Sequence, residues 1–318
     1  MHRNKVRRRT KSLLGPVLIV LALQMLGPRT CVAAGLRFSS DPNGQFTFDT
    51  GVLKGILRPS GKSRGLAGVV HVPSGTRLDR SVGICSHYRV FTSNKRYGTA
   101  AWDWPSTSQL RPDGSVQTVW PVTDERPFTM TATYRWADPQ TLDVETVVTA
   151  REDLRGFESF LASYFEPAFP SPCVYVRERP DAPDGPGFLS AKKAFGTWQM
   201  FPRNAAVLPL IRDGRWTREP HPVDWVIMPA LAAPICLRRH TTSPLAVTLM
   251  APPADCFAIS APYAGEGHYS LYLSLFGRDI EAGQTVTACT RLIVTTGASD
   301  DDIVASYRRY ISERAREH

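Results

Sequence analysis

Apolar and polar residues alternate one for one along most of the chain, in short runs broken by Pro, Gly, Asn and Asp, which is the pattern of half-buried strands. Such runs occupy 45–49, 52–58, 84–92, 116–120, 128–136, 142–150, 157–165, 245–250, 270–276 and 286–295. In 128–136, Phe128, Met130, Ala132, Tyr134 and Trp136 fall on one face and Thr129, Thr131, Thr133 and Arg135 on the other. A slip of one residue would invert the two faces, so the register is well specified. Asp113-Gly114, Asp184-Gly185 and Asp213-Gly214 suit tight turns between antiparallel strands, and 211–216 reads as a strand-turn-strand unit around the last of these. Asp138-Pro139 supplies another turn. The Pro-rich stretch 167–186 is expected to form a long loop over one face.

Helical periodicity is confined to the end of the chain, over 300–315. Ser299 offers a capping side chain, Asp300, Asp301 and Asp302 place negative charge at the helix start, and Ile303, Val304, Tyr307, Tyr310 and Ile311 share a face. Arg308, Arg309, Arg314 and Arg316 load the opposite end, and the helix is expected to pack its stripe on the edge of the sheets. Many strands with little intervening helix predict an all-β fold: a large antiparallel two-sheet β-sandwich with one C-terminal α-helix, forming a single domain over 35–318.

Charge changes the picture at one end only. The formal charge of +9 suggests a nucleic-acid partner until its distribution is considered. Seven of the 38 Lys and Arg residues lie before residue 35, with no acidic residue among them, leaving 31 basic against 29 acidic residues. The remainder is nearly neutral and carries no electrostatic footprint for a phosphate backbone. The same N-terminal segment reads as a secretory signal: a basic stretch to Lys11, an apolar core from Leu13 to Leu26, Gly27-Pro28, then small residues at Val32-Ala33-Ala34. Cleavage is expected near Ala34, giving an exported, periplasmic or extracellular protein. The apolar core is shorter than the ~20 residues of a membrane span, and no later segment reads as one.

Beyond Cys31, the cysteines Cys85, Cys173, Cys236, Cys256 and Cys289 are odd in number and fall in no metal-ligand spacing. They read as small buried hydrophobes in strands such as Ile235-Cys236-Leu237. No HxH, HExxH, Gly-rich phosphate loop or GxSxG elbow is present, so no metal and no cofactor is expected.

About 16 strands, aromatic runs, a closing strand at 286–295 and the stretch Phe165-Glu166-Pro167-Ala168-Phe169-Pro170-Ser171 together resemble the galactose-mutarotase-like supersandwich group. That group includes aldose epimerases and the β-domains of glycoside hydrolases and polysaccharide lyases. The epimerases carry Glu-Thr-Gln or Glu-Pro-Gln followed by Phe-Pro-Asp, and here Ala168 and Ser171 stand where Gln and Asp are expected. The resemblance implies a saccharide or polysaccharide ligand on a concave sheet face.

The candidate chemistry follows from local pattern. On a strand, His87 and Arg89 would share one open face and polarise a ring or carboxylate oxygen. Glu166 ends an apolar strand beside Pro167, where a carboxylate near aromatic surface serves as acid or base. Glu219-Pro220-His221-Pro222-Val223-Asp224-Trp225 gathers His221 as a second proton-transfer group, Asp224 as its orienter or a hydroxyl ligand, and Trp225 as a stacking platform. His268, in Glu266-Gly267-His268, and the pair Trp102 and Trp104 complete the expected substrate contacts. Each also has an ordinary reading as a core histidine, a surface ion pair, a rigid connector or a core indole. Two functions stand: cofactor-free acid-base chemistry on a saccharide, epimerase- or lyase-like, or a non-catalytic interaction module of the cell envelope.

Overall fold

The computed structural model describes residues 36–58, 64–180, 182 and 185–317. The expected leader at 1–34, with Cys31, lies outside the described residues, as does Asp184 of the expected Asp184-Gly185 turn.

Among the described residues the strands form three sheets. From edge to edge, the nine-stranded sheet contains Gly187–Ser190, Ser171–Val176, Leu231–Arg239, Leu245–Met250, Thr285–Thr296, Thr141–Ala150, Phe128–Asp138, Val116–Trp120 and Thr107–Leu110. The seven-stranded sheet contains Val226–Ile227, Trp198–Pro202, Cys256–Pro262, Ser270–Ile280, Leu154–Tyr164, Ser86–Thr92 and Lys95–Arg96. All pairings in both are antiparallel except that of Trp198–Pro202 with Val226–Ile227.

The inner faces of these sheets build one core. The strand Phe128–Asp138 presents Phe128, Met130, Ala132, Tyr134 and Trp136 to it, as the alternation requires, and all five are buried. From Leu154–Tyr164 come Phe157 and Leu161, and from Ser270–Ile280 come Leu271, Leu273 and Leu275. The five-stranded sheet, over Phe38–Arg77, is an addition to the expected two. Its strands are short and pair in chain order, and Phe38 and Phe48 pack at 5.9 and 4.8 Å from Trp136, closing the same core. The five cysteines of the described residues are all free, four of them buried.

Three local expectations are corrected. The segment 211–216 is not a hairpin: Leu208–Ile211 is a helical turn and Arg215–Thr217 a 3₁₀ turn. Asn204 caps a preceding 3₁₀ turn, Ala205–Val207, by accepting the Ala206 N–H at 3.0 Å, Pro209 occupies the first turn of Leu208–Ile211, and Arg215 is drawn inward by acidic partners. The stretch 167–186 is not one long loop, because Ser171–Val176 pairs with strands on both sides. The helix Asp300–Glu317 begins on Ser299, whose Oγ accepts the Asp302 N–H at 3.2 Å while Asp302 accepts the Ser299 N–H at 3.0 Å. It does not pack on a sheet edge. Ile303, Val304, Tyr307 and Tyr310 cover Ile235, Leu237, Met250 and Ile293, which belong to adjacent strands inside the nine-stranded sheet. An apolar patch on a sheet face is a larger target than an edge, and it decides where the stripe lands. That part of the outer face is therefore covered, while the outer face of the seven-stranded sheet carries a second aromatic cluster around an open hollow.

Candidate functional site

The hollow begins with a fault in a strand. Val90 pairs with Ser159 and His87 with Leu161, so two residues, Tyr88 and Arg89, stand opposite Phe160 alone. This is a β-bulge, and it breaks the two-residue period. Val90 and His87 both face the inter-sheet core, while Arg89 joins Phe160 on the outer face. The expected common face of His87 and Arg89 is thus corrected: the bulge puts them on opposite sides of the sheet.

His87 is fully buried. It shares hydrogen bonds with Ser159 Oγ at 3.1 Å and, across the core, with Thr146 Oγ1 at 3.4 Å, and its ring meets Trp120 edge-on at 5.3 Å. Desolvation pushes its pKa down to about 3, so it is neutral near physiological pH and ties the two sheets together.

On the outer face lies a cavity of about 350 Å³. Its floor comes from adjacent strands. Phe160 and Tyr272 stack at 4.6 Å, and Tyr164 meets Tyr272 edge-on at 6.0 Å. Ser270 Oγ donates to Tyr272 Oη at 2.8 Å, and Tyr272 Oη in turn donates to Tyr164 Oη at 3.4 Å. Burial raises the pKa of both phenols, so they act as neutral hydrogen-bonding groups. The walls are indoles: Trp225 stands edge-on to Trp216 at 5.2 Å and to Trp198 at 5.9 Å. Trp216 is held in place by its neighbour Arg215, which is completely buried. Arg215 Nη1 donates to Glu158 Oε2 at 3.0 Å, and its Nη2 donates to Asp213 Oδ2 at 2.8 Å. Desolvation raises the pKa of Glu158, and the Arg215 charge opposes that rise.

Two histidines reach the cavity. His221 lies on the exposed loop, with a left-handed backbone at φ 63°, and lines the rim beside Pro222 and Val223. His268 packs at 5.4 Å from Trp198, and its Nδ1 lies 2.6 and 2.7 Å from the two oxygens of Glu266. The pairing occupies one ring nitrogen and leaves Nε2 free to exchange a proton, the arrangement of an oriented acid-base group. Hollows on either side share its walls: one of about 500 Å³ shares Trp216, Val223 and Trp225, and one of about 370 Å³ shares Tyr164 and His268. The three hollows thus adjoin one another along the same face.

Of the residues singled out by sequence, Arg89, His221, Trp225 and His268 line the central cavity, and Asp224 lines the neighbouring hollow. Trp102 stacks on Tyr88 at 4.3 Å and 8° and does not itself line the cavity. Trp104 is buried in the main core beneath Arg126 and near Phe128, so it meets no ligand there. Glu166 lies near Arg77 at 3.9 Å, and no part of 165–171 lines the cleft. The central cavity has no Asp or Glu in its lining. Tyr88, Phe160, Tyr164, Trp198, Trp216 and Tyr272 were not anticipated. Phe160 and Tyr164 sit on a strand that is apolar on both faces, so alternation gave no warning that one face was a site. Among the described residues no cluster of His, Cys, Asp and Glu is arranged to hold a metal ion, and no helix is long and apolar enough to cross a membrane.

No family model matches the chain, and no curated protein matches it. Solved structures do resemble it. A galactose mutarotase related enzyme from Lactobacillus acidophilus superposes with a TM-score of 0.50 at 9% identity, covering 80% of this chain and 99% of that one. A galactose mutarotase-like protein from Lactobacillus casei gives 0.49 at 10% identity, covering 79% and 100%. An alpha-N-acetylgalactosaminidase from Bifidobacterium bifidum gives 0.47 at 12%, covering 88% of this chain and 38% of that one. At such identities the likeness is one of fold: the chain has the galactose-mutarotase-like β-sandwich architecture.

Proposed function

We propose that this galactose-mutarotase-like sandwich is an exported saccharide-processing protein, and that its cleft on the outer face of the seven-stranded sheet holds a sugar chain. The observation that carries the reading is the convergence of Trp198, Trp216 and Trp225 with His221, His268 and Arg89 around one cavity of about 350 Å³. Indole faces match the C–H surfaces of pyranose rings, and a few fixed polar groups set orientation, which is the general make-up of a small-molecule site. Neighbouring hollows that share its walls suit a ligand longer than one ring. The likeness in fold to a galactose mutarotase related enzyme agrees with this reading, and the basic, apolar, small-residue order of 1–34 supports export.

The chemistry proposed is proton transfer without a cofactor. His268, steadied by Glu266, gives or takes the proton, and Tyr164 and Tyr272 bond the hydroxyls of the bound ring. The gathering of Arg89, His221, Trp225 and His268 around one cavity favours this over an envelope module, although His87, Glu166 and Trp104 lie elsewhere.

The test is a panel of neutral and acidic oligosaccharides. Binding is read by tryptophan fluorescence, mutarotation by optical rotation of a fresh anomer, and elimination by the ultraviolet absorbance of an unsaturated product. The wild type is expected to bind at least one saccharide class and turn it over in one of the two assays. His268→Ala is expected to lose at least roughly 100-fold in rate with binding kept within a few fold, the share typical of an acid-base group. Absence of binding by folded protein across the panel would overturn the saccharide reading. Unchanged turnover in His268→Ala would remove His268 from the chemistry.

A further inference from the structure

Of the arginines buried among the described residues, Arg89 is the one least provided with acceptors. Three arginines are buried among the described residues. Arg215 has the carboxylates of Glu158 and Asp213. Arg238 donates to three carbonyls, those of Phe169, Pro170 and Ser270, at 2.8 to 2.9 Å. Arg89 is only 5% exposed and makes one long hydrogen bond, from Nη2 to Tyr88 Oη at 3.4 Å. Its Nε and Nη1 are buried without a hydrogen-bond partner.

The guanidinium therefore uses one of its five N–H donors. Its other neighbours are ring faces, Tyr88 at 5.0 Å and Trp216 at 5.5 Å, which offer a cation attraction but no acceptor. The surroundings add positive charge. Arg96 is close enough for Arg89 to depress it: burial and then the Arg89 charge push its pKa down to about 10. Its own donors are taken by backbone carbonyls of Gly98, Thr99, Arg218 and Pro220. The indole N–H groups of Trp216 and Trp225 are likewise buried without an acceptor. The central cavity thus offers donors and positive charge, and no carboxylate in its lining. Leaving a buried charge uncompensated is costly, and a ligand anion that compensates it binds with that cost recovered.

We infer that the saccharide taken by this cleft is anionic, a pyranose bearing a carboxylate of the uronic acid type, with that group directed at Arg89. The inference rests on the reading of the cleft as a saccharide site and adds the class of sugar. A planar carboxylate matches the fork of a guanidinium, and the adjoining ring would then lie between Tyr272 and Trp225.

The experiment compares affinities of the full-length protein for a trigalacturonate, a neutral trisaccharide of the same linkage, and a sulfated oligosaccharide, at low and high salt, for wild type, Arg89→Met and Arg89→Lys. The wild type is expected to bind the trigalacturonate at least tenfold more tightly than its neutral counterpart, with the preference shrinking as salt rises. Arg89→Met is expected to bring the affinities for the trigalacturonate and its neutral counterpart within about twofold of each other, and Arg89→Lys to keep part of the preference. If Arg89→Met does not fold, the wild-type preference and its salt dependence decide alone. Equal or better binding of the neutral sugar overturns the anionic class and leaves the saccharide reading standing. A stronger preference for the sulfated sugar than for the uronate overturns the carboxylate assignment. Binding of none of them overturns both.

Discussion

His87 and Arg89 are two residues apart, yet they serve different parts of the molecule. The bulge at Tyr88 and Arg89 sends one into the core and the other to the cleft, and nothing in Ser86-His87-Tyr88-Arg89 announces an inserted residue. The types were readable from sequence as chemistry; the faces were not, because a bulge is set by cross-strand pairing with residues some seventy positions away. Buried neutral, His87 makes a pH prediction. Its pKa is about 3 in the folded chain against 6.5 when free, so between these values unfolding takes up a proton. The stability linked to keeping it neutral is complete above pH 6.5 and falls by roughly 1.4 kcal/mol for each pH unit below. From pH 6.5 to 4.5 the wild type is predicted to lose about 2–3 kcal/mol more than His87→Gln, by urea unfolding at both values. Equal losses would show that His87 is not held neutral.

At the scale of elements, the long strands were readable because their alternation is unambiguous: Phe128–Asp138 buries the five side chains its pattern assigns to the core. The elements around the cleft were not, since they depend on tertiary partners. The segment Arg215–Thr217 is a helical turn carrying Trp216 because Arg215 reaches Glu158 in the sheet below, and Asp213-Gly214 alone reads as a hairpin turn. That buried pair should hold one wall of the site. Glu158→Gln removes a charge that Asp213 replaces only in part, and is predicted to cost about 3 kcal/mol of stability in denaturant unfolding. It should also weaken saccharide binding several-fold through displaced Trp216, although Glu158 does not line the cavity. A variant with unchanged stability and affinity would show that Trp216 is positioned by packing alone. The C-terminal helix teaches the converse. Its cap and stripe were plain in the sequence, but which surface it covers depended on an apolar patch assembled from several strands.

For the whole molecule, the two large sheets divide the labour. The nine-stranded sheet has the outer side of three adjacent strands covered by the helix, and the seven-stranded sheet leaves its outer side to a cleft built from segments spread between Tyr88 and Tyr272. Such convergence has no local signature. Sequence reading reached Arg89, His221, Trp225 and His268 by their chemistry, and gave equal standing to Glu166 and Trp104, which the fold places elsewhere. The central claim is that this cleft is the ligand site. The most direct measurement is a crystal structure of the protein with a bound trigalacturonate. The account predicts sugar rings packed against Trp225 and Tyr272, one carboxylate within hydrogen-bond distance of Arg89, and a hydroxyl or ring oxygen close to His268 Nε2. Ordered sugar on another surface, with the cleft holding only solvent, would contradict it.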